Sequence, residues 1–124
     1  MSDQKEWMQG VTTLVNVCYN QSVQMGWWKS EDITNPLVVP TKLCLIHSEI
    51  SEALEGHRKG LPDDKLPHRP AIEVELADAV IRIGDLAGFL KLDLAGAIAE
   101  KLEYNRTRKD HTKEVREAFG GKSY

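Results

Sequence analysis

Four charged residues at helical spacing are the strongest chemical signal in the chain. Glu75, Asp78, Arg82 and Asp85 follow one another at intervals of 3, 4 and 3 residues. At about 100° per residue in a helix, their side chains share one strip roughly 80° wide. Because apolar residues border this strip on both sides, we expect the helix to be buried, where unpaired carboxylates are costly. A bound metal cation is one way to neutralise them.

A second acidic pair, Glu49 and Glu52, lies in the preceding apolar segment, which is predicted to be a helix over Lys42–Lys59. Leu45 and Ile46 fall within about 60° of Glu49 on a helical wheel, which places Glu49 in the middle of the apolar face. Two helices that direct E-x-x-E and E-x-x-D pairs inward would form a cage of carboxylate oxygens suited to Mg²⁺ or Mn²⁺. A ferritin-like di-iron site is disfavoured, because the chain has no E-x-x-H motif.

Helical patterns dominate the rest of the chain and predict an all-α fold. A first helix is expected over about Asp3–Met25, followed by a connection over Gly26–Pro40 in which two prolines act as breakers. The proline-rich segment Leu61–Pro70 is a predicted loop before the third helix, and Asp93 is a candidate N-cap for the fourth. We therefore predict a four-helix bundle in a single domain, residues 1–124. The third helix is apolar nearly all round, so the bundle is expected to be completed by oligomerisation, as a homodimer or homotetramer.

Composition excludes several classes of function. The net charge of −3 argues against a protein that binds nucleic acid through overall charge. No apolar run approaches the roughly 18 residues of a membrane span, and Met1–Glu6 lacks the apolar stretch of a signal peptide. Cys18 and Cys44 lie in apolar helical patterns and are expected to be reduced core residues. A cytoplasmic location with no membrane partner follows as an expectation.

A row of polar donors occupies the second half of the predicted fourth helix. Lys101, Asn105 and Arg108 share one helical stripe, and His111 and Lys113 follow it. Arginine and lysine side chains suit phosphate oxygens, the first through its planar fork and the second as a point charge. Hydrolysis of a phosphoryl group needs a metal ion to polarise phosphorus and activate water, and cations to neutralise the leaving group, so a carboxylate cage and phosphate donors together fit this reaction.

Three segments together carry a resemblance to a known family. They are KLCLIHSEISEALE at 42–55, ELADAVIRIGD at 75–85 and KLEYNRTR at 101–108. In combination they resemble the MazG-like branch of the all-α NTP pyrophosphatase superfamily, over about Gly26–Lys113. The E-x-x-E pair alone would carry no such weight.

The resemblance implies a Mg²⁺-dependent enzyme, with Mn²⁺ as a substitute, that cleaves nucleoside triphosphates between the α and β phosphates. It also implies an oligomeric helical bundle. The metal ligands and catalytic carboxylates carry over onto Glu49, Glu52, Glu75 and Asp78. The phosphate contacts carry over onto Lys101, Asn105 and Arg108. One departure concerns Ser48, which stands where many members have a further Glu, and this leaves the number of metal ions open.

Other residues have two readings at this point. One of Trp27 and Trp28 is expected to stack on the nucleobase, with an anchoring role in the core as the alternative. Lys42 is expected to contact substrate, or else to pair with Glu49 or another acid. Arg82 is expected to pair with Asp78 or Asp85 at helical spacing.

The predicted function is conversion of a (d)NTP to the monophosphate and pyrophosphate. The large stacking surface of two tryptophans favours a purine such as dGTP or GTP. Two kinds of alternative stay open. One is a relative with a narrower substrate, such as a dUTPase-like or phosphoribosyl-ATP pyrophosphatase enzyme. The other is a helical interaction module without catalysis, whose acids are purely structural.

Overall fold

The computed structural model describes residues 2–108, and these residues are almost entirely helical. Four α-helices are present in this range: α1 Ser2–Gln24, α2 Val38–Lys59, α3 Ala71–Phe89 and α4 Leu94–Thr107, with a short 3₁₀-helix at Ser30–Ile33. The described residues form no strand, only an isolated bridge between Pro62 and Pro70. The predicted all-α class is confirmed.

The contacts divide the chain into two units, which are described separately. The larger unit is Thr13–Leu92, and the smaller unit combines Met1–Thr12 with Asp93–Tyr124. The helix α1 contributes its first half to the smaller unit and its second half to the larger one. The single domain over residues 1–124 stays a prediction.

An antiparallel pair of helices, α2 and α3, forms the centre of the larger unit. The helix α2 ends at Gly60, whose left-handed backbone (φ 62°) lets its N–H bond back to Gly56 and His57 carbonyls. The backbones approach closely where the pair begins, since a Cβ added to Gly56 would lie 2.7 Å from the Cβ of Ala71. This arrangement sets the register in which the acidic pairs of the two helices meet.

The second half of α1 packs against the C-terminal half of α3, also within the larger unit. Two glycines of α3 make the approach possible, because a Cβ at Gly84 would lie 3.3 Å from Cys18 and one at Gly88 would overlap Tyr19. Val15 and Cys18 are buried at this contact. The larger unit is therefore a three-helix arrangement around α3.

The start of α2 differs from the prediction. The helix begins at Val38, four residues before Lys42, so Pro40 lies in its first turn instead of breaking the chain. The first N–H groups of a helix have no intrahelical acceptor, and a proline there loses no hydrogen bond. The prediction that Pro40 ends a connection was wrong for this reason.

Burial of the two cysteines also differs from the prediction. Cys18 is buried, but Cys44 is exposed on α2. The position of Cys44 is about 140° around the helix from Glu49, which is buried, so Cys44 faces away from α3. The expectation of a core residue was wrong for Cys44.

The outward sides of the helix pair keep apolar side chains at the surface. Leu76 and Val80 of α3 are each 46% exposed, although the sequence predicted a buried helix. None of the described helices is long and apolar enough to cross a membrane.

The smaller unit contains α4, whose start was predicted correctly. The side chain of Asp93 accepts a hydrogen bond of 2.9 Å from the backbone N–H of Gly96, which is the N-cap interaction. Ala95 is buried one residue into the helix.

Candidate functional site

Three carboxylates from the two central helices form a cluster. Glu49 and Glu52 of α2 and Glu75 of α3 each offer one oxygen atom, and these atoms lie within 4.8 Å of one another. Glu49 is buried, Glu75 is half-buried and Glu52 is exposed. The antiparallel pairing of α2 and α3 thus brings together three of the four predicted metal ligands, and Glu52 gives the cluster an open side.

Asp78, the fourth predicted ligand, is not a member of this carboxylate cluster but lies beside it. It lies one turn after Glu75 on α3 and lines the same cavity as Glu49. Burial, together with the negative charge of Glu49, raises the pKa of the Asp78 carboxyl, while the Arg82 charge opposes the rise. Asp78 is therefore near enough to contribute charge to the site.

Glu75 is the member of the cluster whose pKa is shifted furthest from its ordinary value. Burial, hydrogen bonds with Glu49 and Glu52, and their negative charges raise the pKa of Glu75 from 4.5 to about 8. Its Oε2 atom is buried and accepts no hydrogen bond from any residue in the range 2–108. Because its neighbours in the cluster are themselves carboxylates, a proton or a bound cation would compensate this oxygen. The donor set therefore fits a divalent cation.

The most buried acid of the cluster, Glu49, is paired with Arg82. The Nε atom of Arg82 lies 2.9 Å from Oε1 of Glu49. Burial opposes ionisation of Glu49, but hydrogen bonds from the Glu75 carboxyl and the Arg82 guanidinium outweigh burial and lower its pKa. The expected pairing of Arg82 along its own helix is not the one seen. The reason is that α3 faces α2 in a register that offers Arg82 a buried acid.

Asp85, the expected helical partner of Arg82, is used to fix an aromatic side chain. It is buried and accepts hydrogen bonds from Ser22 Oγ at 2.9 Å and from Trp28 Nε1 at 2.7 Å. The Trp28 ring stacks on Phe89 with centroids 3.8 Å apart. The Lys42 ammonium lies over the same indole, 4.6 Å from its centroid. Trp28 therefore connects several elements, and its ring contacts Phe89 and Lys42 instead of being open to a ligand.

Trp27 has different surroundings from its neighbour. Its side chain is 57% exposed, and its backbone N–H donates to the Ser22 carbonyl at 3.1 Å, which holds it just past the end of α1. Of the two tryptophans, Trp27 is the one that leaves its ring accessible for stacking. Sequence alone could not separate them, because the difference depends on the buried acceptor Asp85.

A cavity of about 570 Å³ lies in the larger unit beside the carboxylate cluster. Its lining is of three kinds: the cations Lys42 and Arg82; the acids Glu49, Asp78 and Asp85; and apolar or neutral side chains that include Leu14, Val17, Gln21, Trp27 and Ile81. The contribution of α1 and the place of Arg82 were missed at the sequence level. The apolar stripe of α1 was visible there, but nothing local showed which stretch of it borders the site.

Of the predicted phosphate donors, Lys101 and Asn105 lie on α4 in the smaller unit, and Arg108 is the C-cap residue directly after the helix. Lys101 Nζ and Arg108 Cζ lie 4.6 Å and 5.5 Å from the centroid of the Tyr104 ring. Asn105 is half-buried, and its Oδ1 accepts no hydrogen bond from the part of the chain that is described. The backbone of Arg108 is extended, so the helical stripe that the sequence predicted ends before this residue. His111 and Lys113, which follow it in sequence, lie outside the described residues.

The site of the larger unit combines a carboxylate cluster with a neighbouring cavity, which is lined by two cations and an accessible aromatic ring. Comparison of the chain with protein-family models, with curated protein sequences and with solved structures gave no match. The MazG-like resemblance therefore rests on the three motif segments.

Proposed function

We propose that the protein is a Mg²⁺-dependent nucleoside triphosphate pyrophosphohydrolase, which converts a (d)NTP to the (d)NMP and pyrophosphate. The observation that carries the proposal is the cluster of Glu49, Glu52 and Glu75, contributed by two facing helices next to a cavity. The family resemblance supplies the reaction class, and the cluster supplies the charge that such a reaction needs.

A divalent cation fits this cluster on chemical grounds. Carboxylate oxygens are hard ligands, and Mg²⁺ is usually held by one or two carboxylates together with waters and substrate phosphates. Glu49, Glu52 and Glu75 would hold it, with Asp78 beside them, and the buried Oε2 atom of Glu75 would gain the partner it lacks. When bound, the cation supplies charge neutralisation at phosphate oxygens and lowers the pKa of water.

The chain's own residues divide the remaining tasks. Glu52 is exposed, whereas Glu49 is engaged by Arg82 and Glu75 holds a proton in the absence of a cation. We therefore assign to Glu52 the role of accepting a proton from the attacking water. Trp27 offers its exposed ring to the nucleobase.

Phosphate binding is assigned by the resemblance to the donor row of α4. Lys101 and Arg108 donate to phosphate oxygens in this proposal, and Asn105 has an amide oxygen without a donor that a hydroxyl or bound water can satisfy. Cationic donors of this kind neutralise the charge that builds up on a leaving pyrophosphate.

Product analysis tests the proposal directly. Purified protein is incubated with Mg²⁺ and each common or deaminated (d)NTP, and the products are separated by ion-exchange chromatography. Monophosphate and pyrophosphate in equal amounts are expected from at least one substrate. Diphosphate and orthophosphate would contradict the assignment of the cleaved bond. The absence of any product, with Mg²⁺ or Mn²⁺, would contradict the proposal that the protein is an enzyme of this class.

A further inference from the structure

We propose that Lys42 and Arg82 form an anion-binding subsite in the larger unit that holds a phosphate group of the nucleotide. This inference rests on the proposed function and adds to it two phosphate ligands that lie apart in sequence from the row on α4. It is carried by the positions of both cations in the cavity beside the carboxylate cluster.

Arg82 uses only part of its donor set within the protein. Its Nε–H is engaged by Glu49, while the side chain stays 39% exposed and lines the cavity. The terminal nitrogens of Arg82 make no hydrogen bond to any other residue in the described range. A guanidinium has five N–H donors in a rigid fork, and the terminal ones match the oxygens of a phosphate group. The hydrogen bond to Glu49 therefore orients the guanidinium and leaves its terminal N–H groups available to a ligand.

Lys42 is held in place without an acidic partner among the described residues. Its ammonium lies over the Trp28 indole, which is fixed by the hydrogen bond to Asp85 and by the stacked Phe89 ring. A cation on a rigid aromatic platform keeps its three N–H donors and loses less conformational entropy when it binds a ligand. Such an arrangement is preorganised for an anion.

The rest of the cavity indicates what kind of anion fits. Leu14, Val17 and Ile81 give it an apolar wall, and the exposed Trp27 adds an aromatic ring. An anion attached to a planar ring matches this combination, which is the chemistry of a nucleotide. Because Glu49 and Asp78 line the same cavity, their charge opposes a bare anion. We therefore expect phosphate binding here to depend on a divalent cation.

The test separates binding of phosphate from binding of the cation and of the base. The probe is the α,β-methylene analogue of the (d)NTP that the wild type hydrolyses fastest, measured by calorimetry with Mg²⁺. Lys42→Gln and Arg82→Lys are each expected to weaken binding about tenfold or more. The first removes a positive charge, and the second replaces the forked donors of the guanidinium by a single ammonium. Arg69→Gln is the matched control, because Arg69 is exposed and pairs with Glu73, and it should bind like the wild type.

Two further measurements exclude an indirect effect. Affinity for Mn²⁺ is followed by electron paramagnetic resonance and should stay within about twofold in both variants, because neither side chain is a cation ligand. In Arg82→Lys the positive charge beside Glu49 is also kept, and only the geometry of the donors changes. The matching deoxynucleoside, which has no phosphate, should bind all variants equally. An equal loss of Mn²⁺ affinity in Arg82→Lys would show that Arg82 acts through Glu49, and would overturn its place in the subsite.

Failure of the inference and failure of the proposed function give different results. If the wild type binds the analogue and both variants bind it equally well, the proposed phosphate subsite is wrong, whereas the proposed enzymatic function is not contradicted. If the wild type neither hydrolyses any (d)NTP nor binds an analogue of one, both are wrong.

Discussion

Two acids of α2, Glu52 and Glu55, lie three residues apart but have different surroundings. Glu52 belongs to the carboxylate cluster, whereas Glu55 pairs with Lys59 at 2.8 Å and with Arg58 at 3.4 Å on the surface. Glu52→Gln is expected to lower kcat by about 10²–10⁴, the usual contribution of a general base. Glu55→Gln should keep kcat within about twofold, because exposed ion pairs contribute little. Steady-state assays of pyrophosphate release check both, and an active Glu52→Gln enzyme would remove Glu52 from the mechanism.

The raised pKa of Glu75 predicts how stability depends on pH in the metal-free protein. Between pH 4.5 and about 8, the folded state keeps a proton on Glu75 that the unfolded state releases. Stability falls with rising pH wherever the unfolded state binds fewer protons. The contribution of Glu75 to the free energy of unfolding should therefore decrease across this range and level off above it.

Glu75→Gln is the variant that isolates this effect. A glutamine is neutral at every pH, so the difference in stability between the variant and the wild type should grow in favour of the variant from pH 4.5 to about 8. Urea unfolding in EDTA at a series of pH values measures it. A constant difference would show that Glu75 ionises normally in the folded protein.

At the scale of single residues, the sequence predicted which acids come together but not all of their partners. Their spacing predicted that Glu49, Glu52 and Glu75 approach one another, and one oxygen of each does lie within 4.8 Å of the others, although Glu52 is exposed. The bond between Arg82 and Glu49 joins residues 33 positions apart and depends on the register of two helices, which no local pattern encodes. Helical spacing suggested Asp85 as the partner of Arg82, but that acid is occupied by Ser22 and Trp28.

At the scale of the elements, close packing of α1 against α3 depends on glycine. A Cβ at Gly88 would overlap Tyr19, whereas one at Gly10, an exposed helical glycine of α1, would meet nothing within 4 Å. Gly88→Ala should lower the free energy of unfolding by about 1–3 kcal/mol through overpacking. Gly10→Ala should raise it by about 0.5–1 kcal/mol, because alanine loses less backbone entropy. Thermal unfolding compares them, and a stabilised Gly88→Ala would disprove the close contact.

The ends of the helices show what local signals can and cannot predict. The end of α2 at Lys59 agrees with the predicted range, and the structure shows Gly60 as its C-cap. Asp93 was predicted as the N-cap of α4, because an aspartate side chain accepts a hydrogen bond from a free backbone N–H at the start of a helix. The start of α2 was placed too late because a proline is compatible both with a loop and with the first turn of a helix.

At the scale of the whole molecule, the helix pair has more apolar surface than it buries. Leu43, Ile50 and Leu54 on α2 are 47%, 49% and 59% exposed, and Leu76 and Val80 on α3 are each 46% exposed. Contiguous exposed apolar surface on a globular protein usually marks an interaction site. We propose that further copies of this chain cover these faces, as the predicted homodimer or homotetramer requires.

Introducing a charge on this surface tests the assembly. Wild-type protein should have a solution mass that is an even multiple of 14.0 kDa by light scattering, and its melting temperature should rise with protein concentration. Leu54→Lys should shift the mass toward the monomer with unchanged helix content in circular dichroism, because a lysine buried in an apolar interface is unpaired. Thr41→Lys places the same charge at an exposed polar position about 140° away around α2 and should keep the assembly. A wild type that elutes as a monomer at all concentrations would refute the oligomer, and the exposed faces would then need a different partner.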